Sequence, residues 1–349
     1  MRVLSVLAIC AGFAVSSAQP ASAQSASAQA VPTQATFDLQ GHRGARGLAP
    51  ENTLPAFATA LGLGVTTLEL DINLTADDKL VVGHDPVLLP TVTRKPDGSF
   101  LAEPGPAIRS LSLADLQRYD VGRLNPDHRY GKGFPEQQPV DGTRMPELAA
   151  VFALAARAAQ AHPNLPPIRF NIETKLSPLK PNDTASPEQL ATALVAEIRK
   201  QGQAAYTTIQ SFDWRTLRIA ARIAPEIALV MLTVETPNFD TLERGKPGAS
   251  PWLGGLDIDD HGGSAPRLVK AAGGKVWSPF WRNVSSEALA EAKTLGLQVI
   301  PWTVNEPADM ARLIDMGVDG IITDYPDRLR NVLRSKSMPL PPPRPVALH

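Results

Sequence analysis

The sequence predicts an α/β fold, a (β/α)8 barrel of the TIM type with an insertion between the second strand and the second helix. Three observations carry this. Apolar strand-like runs alternate with helix-like stretches over residues 36–335, and the main strands number eight. The last three strand–helix units recur about every 22 residues, a usual βα spacing. Side chains able to handle metal, phosphate or protons fall at the carboxyl ends of these strands, where such barrels do their chemistry. The rival is an open doubly wound sheet, which would want a Gly-rich phosphate loop after its first strand. Here His42 and Arg43 stand between Gly41 and Gly44 instead.

Ahead of the barrel is a processing segment. Arg2 gives a positive start, and Val3–Val15 is an apolar run too short to span a membrane as a helix. Ala21-Ser22-Ala23 offers a small-x-small cleavage site, with Ala26-Ser27-Ala28 as a second. Residues 1–23 are therefore expected to be a signal peptide, and 24–35 an unstructured leader. Cys10 is the only cysteine, and Ile9 before it is bulky where a lipid-attachment site wants a small residue. The mature chain is expected to be periplasmic or secreted, with no cysteine and no stable membrane anchor. At 349 residues and 43% hydrophobic content it can build a large core. A formal charge of -1 and the lack of basic runs point away from nucleic acid. Oligomeric state stays open.

The elements follow in order. Strand 36–40 delivers His42. Asn52 can cap a helix with apolar positions Leu54, Phe57, Ala58 and Leu61, ended by Gly62 and Gly64. Strand 67–72 follows. Thr75–Lys79 reads as a turn, and a hairpin centred between Asp77 and Asp78 would pair Asp71 with His84. Residues 73–145 form the insertion, with one helical stretch over 113–119, expected to cap the barrel mouth and shape the substrate pocket. A helix over 146–161 closes the unit. Then come strand 168–175 with helix 187–200, strand 207–212 with helix 214–223, and strand 227–233 with no clear partner. The last units are 275–279 with 285–295, 298–304 with 307–316, and 320–323 with 327–334. Residues 336–349 are a Pro-rich tail, disordered or extended.

Strand periodicity sets Glu69 and Asp71 on one face of an apolar strand. Two carboxylates ~4 Å apart at an effective dielectric of ~20 repel by about 4 kcal/mol, so a cation or a shifted pKa is required there. Glu173 stands on a strand face shared with Asn171 and Lys175. Three carboxylates and no thiolate suit a hard divalent cation, Mg²⁺ or Ca²⁺, over Zn²⁺. The plainer alternative is salt bridging to Arg43 and Lys175. His42 and His84, at strand ends beside this acidic cluster, are the candidate acid and base. Arg43 suits a pair of phosphate oxygens. Lys175 is a second phosphate charge or a partner for Glu173. Trp302 is an apolar wall for substrate or barrel packing. The run Asp257, Asp259, Asp260, His261 is flanked by glycines and reads as a solvated loop.

Taken together, the motifs resemble the glycerophosphodiester phosphodiesterase family. They stand here as His42-Arg43-Gly44, Pro50-Glu51-Asn52-Thr53, Glu69-Leu70-Asp71, His84-Asp85 and Asn171-Ile172-Glu173-Thr174-Lys175. Gln210-Ser211-Phe212, Trp302-Thr303-Val304-Asn305 and Thr323-Asp324-Tyr325-Pro326 match later segments. The resemblance covers about residues 38–334 and implies the barrel, metal ligands at Glu69, Asp71 and Glu173, and proton transfer by His42 and His84. The exported start looks like the periplasmic branch, which implies Ca²⁺, with Mg²⁺ as the alternative. The activity so implied is hydrolysis of a small glycerophosphodiester to an alcohol and glycerol 3-phosphate, with substrate held by Arg43, Lys175 and Trp302. The alternatives are an exported, non-catalytic phosphodiester-binding protein and phospholipase D-like action on lipid phosphodiesters.

Overall fold

The computed structural model describes residues 37–348, with Met1. The expected signal peptide, the leader 24–35 and Cys10 lie outside the described residues. Eight parallel strands form the barrel wall: β1 (Asp38–Gly41), β2 (Thr67–Leu74), β4 (Arg169–Thr174), β5 (Thr207–Ser211), β6 (Ala228–Thr233), β7 (Val276–Pro279), β8 (Gln298–Val299) and β9 (Gly320–Thr323). Their order is β8-β7-β6-β5-β4-β2-β1-β9, and the remaining strand, β3 (Leu80–Val82), pairs with β2 off this path. The gap between β8 and β9 is bridged by the backbone, with Asp319 N–H on the Val299 carbonyl at 2.9 Å and Ile322 N–H on the Pro301 carbonyl at 3.0 Å.

Alternation along each strand divides the buried residues into two layers. Leu39, Leu68, Leu70, Ile72, Phe170, Ile172, Ile209, Met231, Trp277, Val299 and Ile321 face the helices and form the main core. The inward side chains differ around the ring. Val230, Val276, Ile300 and Ile322 fill one half with apolar groups. The other half is polar. Asn171 donates to Gln40 and Gln210, both at 2.9 Å, and Gln210 donates to Glu69 at 2.7 Å. Buried amides of this kind persist because their partners are in place.

Several helices match their expected bounds: Pro187–Lys200, Trp214–Ile223 and Pro307–Met316. The strand left without a partner is followed by the short helix Ala265–Ala271. Four local expectations are corrected. Thr53, not Asn52, caps Leu54–Leu63, because its Oγ1 accepts the Ala56 N–H at 3.3 Å. Gly62 lies inside that helix, and the left-handed Gly64 ends it. The hairpin is shifted by one residue, pairing Ile72 with Val82, so that Gly83 N–H reaches the Asp71 carbonyl at 3.0 Å. The loop between the two strands runs from Thr75 to Lys79, so the hairpin is centred on Asp77 rather than between Asp77 and Asp78, and Asp78 within it is left-handed (φ 57°). The helical stretch expected over 113–119 is shorter, Leu113–Leu116, and a second one-turn helix stands at Arg129–Lys132.

The tail, described as far as residue 348, forms no helix or strand beyond Ser337 and packs against the barrel. Arg344 is buried, its N–H donates to the Leu61 carbonyl at 2.7 Å, and Met338, Leu340, Val346 and Leu348 pack against the core. Among the described residues no helix is long and apolar enough to cross a membrane.

Candidate active site

The turn after β1 shapes the site. Gly41 and Gly44 are required there: a Cβ on Gly41 would lie 2.1 Å from the Gly44 carbonyl oxygen, and one on Gly44 (φ +84°) would lie 2.6 Å from the Ala56 backbone. Arg43 and Asn52 both sit in the left-handed region, at φ 51° and 57°. Such strain is tolerated where the surroundings over-determine the conformation. Here it aims Arg43 N–H at Glu69 Oε2 (2.8 Å) and Asn52 Nδ2 at Asp71 Oδ2 (2.8 Å). Gly44→Ala is expected to destabilise the fold by roughly 2–5 kcal/mol through strain and overpacking. A denaturant melt displaced by under about 1 kcal/mol would contradict this role for the turn.

The parallel register of β2 and β4 sets Asp71 beside Glu173 and Glu69 beside Asn171. One carboxylate oxygen from each of Glu69, Asp71 and Glu173 lies within 4.8 Å of the others, and all three residues are buried. Asp71 Oδ1 is fully buried and accepts no hydrogen bond. Lys175 Nζ stands 3.6 Å from it and 2.6 Å from Glu173. An orphaned buried oxygen on one of three converging carboxylates fits a divalent cation. The charge balance agrees: Glu51, Glu69, Asp71, Asp85, Glu173 and Asp324 outnumber Arg43, Arg46 and Lys175. Burial pushes the Glu69 carboxyl up, with Asp71 adding to the rise, and lifts Glu173 to about 7 even with Lys175 alongside. Burial would raise Asp71 as well, but Lys175, His84 and Arg43 hold it below the ordinary carboxylate range.

His42 follows β1 directly, and its N–H donates to the Thr323 carbonyl at 2.8 Å. Its Nδ1 lies 2.6 Å from Asp324 Oδ1, and its Nε2 lies 4.0 Å from Glu69 Oε2. Burial pulls Asp324 up, but Arg46 and His42 hold it well below the usual range, so it accepts only. Nδ1 must then carry the proton, and the lone pair of the neutral ring is on Nε2. Burial, reinforced by the Arg46 charge, brings the His42 pKa down to about 4. His84 lines the same cleft despite the shifted hairpin, because it follows the end of β3. Its Nδ1 is 3.3 Å from Asp85, and burial, with Arg43 and Lys175, lowers its pKa.

Arg43 is held by Glu51 at 2.6 Å and Asp71 at 3.3 Å, yet its Nε makes no hydrogen bond. Trp302 lines the cleft and rests on the apolar half of the barrel, its Nε1 donating to the Ser278 carbonyl at 2.9 Å. Asp257–His261 stands apart as a loop with a short turn, Asp259 accepting from Gly245 N–H at 2.8 Å.

The sequence profile of the Glycerophosphoryl diester phosphodiesterase family matches residues 42–328. The chain belongs to this family of hydrolases. A glycerophosphodiester phosphodiesterase of Caldanaerobacter subterraneus subsp. tengcongensis is 29% identical, over 84% of this chain and 96% of its own. Among solved structures, a protein of Silicibacter pomeroyi DSS-3 assigned as a glycerophosphoryl diester phosphodiesterase superposes with a TM-score of 0.76. It is 33% identical and covers 87% of this chain and 95% of that one. An Oleispira antarctica phosphodiesterase, solved in complex with the product sn-glycerol-3-phosphate, shares the fold. Its TM-score is 0.59 at 21% identity, with 85% of this chain and 96% of that one covered.

Sequence reasoning missed several side chains that hold the family's motifs in place. Gln210 supports Glu69, and Asn305 and Arg46 support Asp324. Gln210 was visible as an inward strand position within a matched segment. Asn52 was read as a cap, and only its left-handed backbone turns it toward Asp71.

Proposed function

We propose that the chain hydrolyses glycerophosphodiesters to an alcohol and glycerol 3-phosphate, with a divalent cation at Glu69, Asp71 and Glu173. The observation that carries this reading is the orphaned Asp71 Oδ1 among three buried carboxylates, flanked by two histidines. When bound, the cation offsets the acidic excess and polarises the phosphoryl oxygens. Ca²⁺ is the ion favoured, with Mg²⁺ the alternative. Arg43 Nε and Lys175 Nζ bind phosphoryl oxygens and stabilise the charge that builds up there. His42, with its lone pair on Nε2, takes the proton of the nucleophile. His84 takes up a proton when the anionic substrate enters and donates it to the departing alcohol.

The first test is metal analysis of purified protein alongside a release assay. Bound Ca²⁺ or Mg²⁺ at one per chain supports the reading; metal-free protein that is fully active contradicts it. A second reading, action on lipid phosphodiesters, is favoured by an aromatic run leaving the cleft. Trp302 stacks edge-on against Phe212 at 5.2 Å, and Phe212 lies 5.5 Å from the exposed Phe239. Faster turnover of lysophosphatidylcholine than of glycerophosphocholine would select it.

Export belongs to the same proposal and rests on Arg2, the apolar run to Val15 and the two Ala-Ser-Ala sites. Mass spectrometry of the mature protein is expected to find its start after Ala23 or Ala28. An intact Met1 on exported protein, or lipid on Cys10, would refute that cleavage.

A further inference from the structure

The insertion is joined to His42 by a chain of contacts running through Arg46, buried at Arg46 and Asp324 and half-buried at the insertion. Arg46 lies in the loop after β1 and is buried. Its Nε and Nη2 donate to the two oxygens of Asp324 at 2.7 and 2.8 Å. A two-point fork of this kind fixes the plane of the carboxylate. The same carboxylate holds His42 Nδ1 at 2.6 Å and accepts Asn305 Nδ2 at 2.7 Å.

The other side of Arg46 is gripped by the insertion. Its guanidinium lies 4.8 Å from the Phe134 ring centroid, its Nη1 donates to Tyr130 Oη at 3.1 Å, and its carbonyl accepts Gln137 Nε2 at 2.7 Å. The segment is fastened again beyond this point, by Gln138 N–H on the Leu48 carbonyl at 2.9 Å and by Glu136 on Arg328 at 2.5 Å. An insertion expected to shape the substrate pocket therefore also reaches the back of a reacting group.

We propose that Arg46 is a positioning residue, set by the insertion through Phe134 and Gln137, that aims Asp324 and through it the Nε2 lone pair of His42. This rests on the reading of His42 as a proton-transfer group. Without the fork, Asp324 keeps only Asn305 and His42 as side-chain partners, and the direction of His42 is held less firmly. Losses of about 10–100-fold are usual when the partner behind a reacting or ligating group is removed. Tyr130 also touches Arg43 and Glu51 and so cannot report on this route alone.

The test compares kcat and KM for Arg46→Gln and Phe134→Leu, each made in the natural chain and in His42→Ala. In the natural chain Arg46→Gln is expected to lower kcat roughly 30–100-fold with KM within about 2-fold, and Phe134→Leu roughly 3–10-fold. Arg46→Lys, which keeps the charge without the fork, is expected to recover only part of the loss. In His42→Ala neither substitution is expected to lower kcat further, because the group they aim is gone. The same additional loss in both backgrounds would overturn the proposal and leave Arg46 a purely structural residue. Wild-type turnover in His42→Ala itself would instead overturn the underlying reading of His42. If Arg46→Gln does not fold, the Phe134→Leu and Gln137→Ala comparison in the two backgrounds decides the matter alone.

Discussion

Replacing His42 with alanine is expected to lower turnover by roughly 10²–10⁴-fold, the usual size of a general acid–base contribution. His84→Ala is expected to cost a similar factor. Cation affinity should change little in either, since neither imidazole belongs to the carboxylate triad. The two roles separate by leaving group. A nitrophenyl ester leaves with little need of a proton, so it should largely restore His84→Ala and leave His42→Ala slow. The bond to Asp324 supports this division, because it puts the His42 proton on Nδ1 and leaves Nε2 to accept. Equal rescue of both variants, or of neither, would contradict the division while leaving the metal site standing.

Glu69→Gln is expected to weaken cation binding and turnover together. Both Glu69 oxygens already accept a hydrogen bond, from Gln210 at 2.7 Å and from Arg43 N–H at 2.8 Å. An amide would turn its NH₂ against one of these donors and would remove a charge from the triad. The cost in affinity should exceed the roughly 10–100-fold typical of a residue standing behind a ligand. Calorimetric titration of Ca²⁺ into stripped wild type and variant reads it directly. Wild-type affinity and rate in Glu69→Gln would remove Glu69 from the ligand set.

Much of this architecture was readable in the chain. Strand alternation alone set Glu69 with Asp71, and Asn171 with Glu173 and Lys175, because a two-residue period needs no tertiary information. The helices over 187–200 and 214–223 were legible in the alternation of strand-like and helix-like stretches, and the structure caps them with Ser186 and Asp213. The limits were equally physical. The hairpin is centred one half-residue earlier than expected, on a loop with Asp78 left-handed, and nothing in the local composition chose between the two registers. Tyr130 and Phe134 meet Arg46 across more than 80 residues of chain. They sit in an insertion without periodicity, so no spacing rule could bring them to the site. Asp324 was visible as an acid at a strand end, but its role depends on His42 and Arg46 from the loop after β1 and on Asn305 from another segment.

The most direct test of the central claim is hydrolysis of sn-glycero-3-phosphocholine by exhaustively stripped protein, with Ca²⁺ then returned and both products measured. The expected result is no turnover in the stripped protein and a saturable return of activity with Ca²⁺, with choline and glycerol 3-phosphate released in equal amounts. Full turnover without the cation, or release of phosphocholine and glycerol in their place, would contradict it.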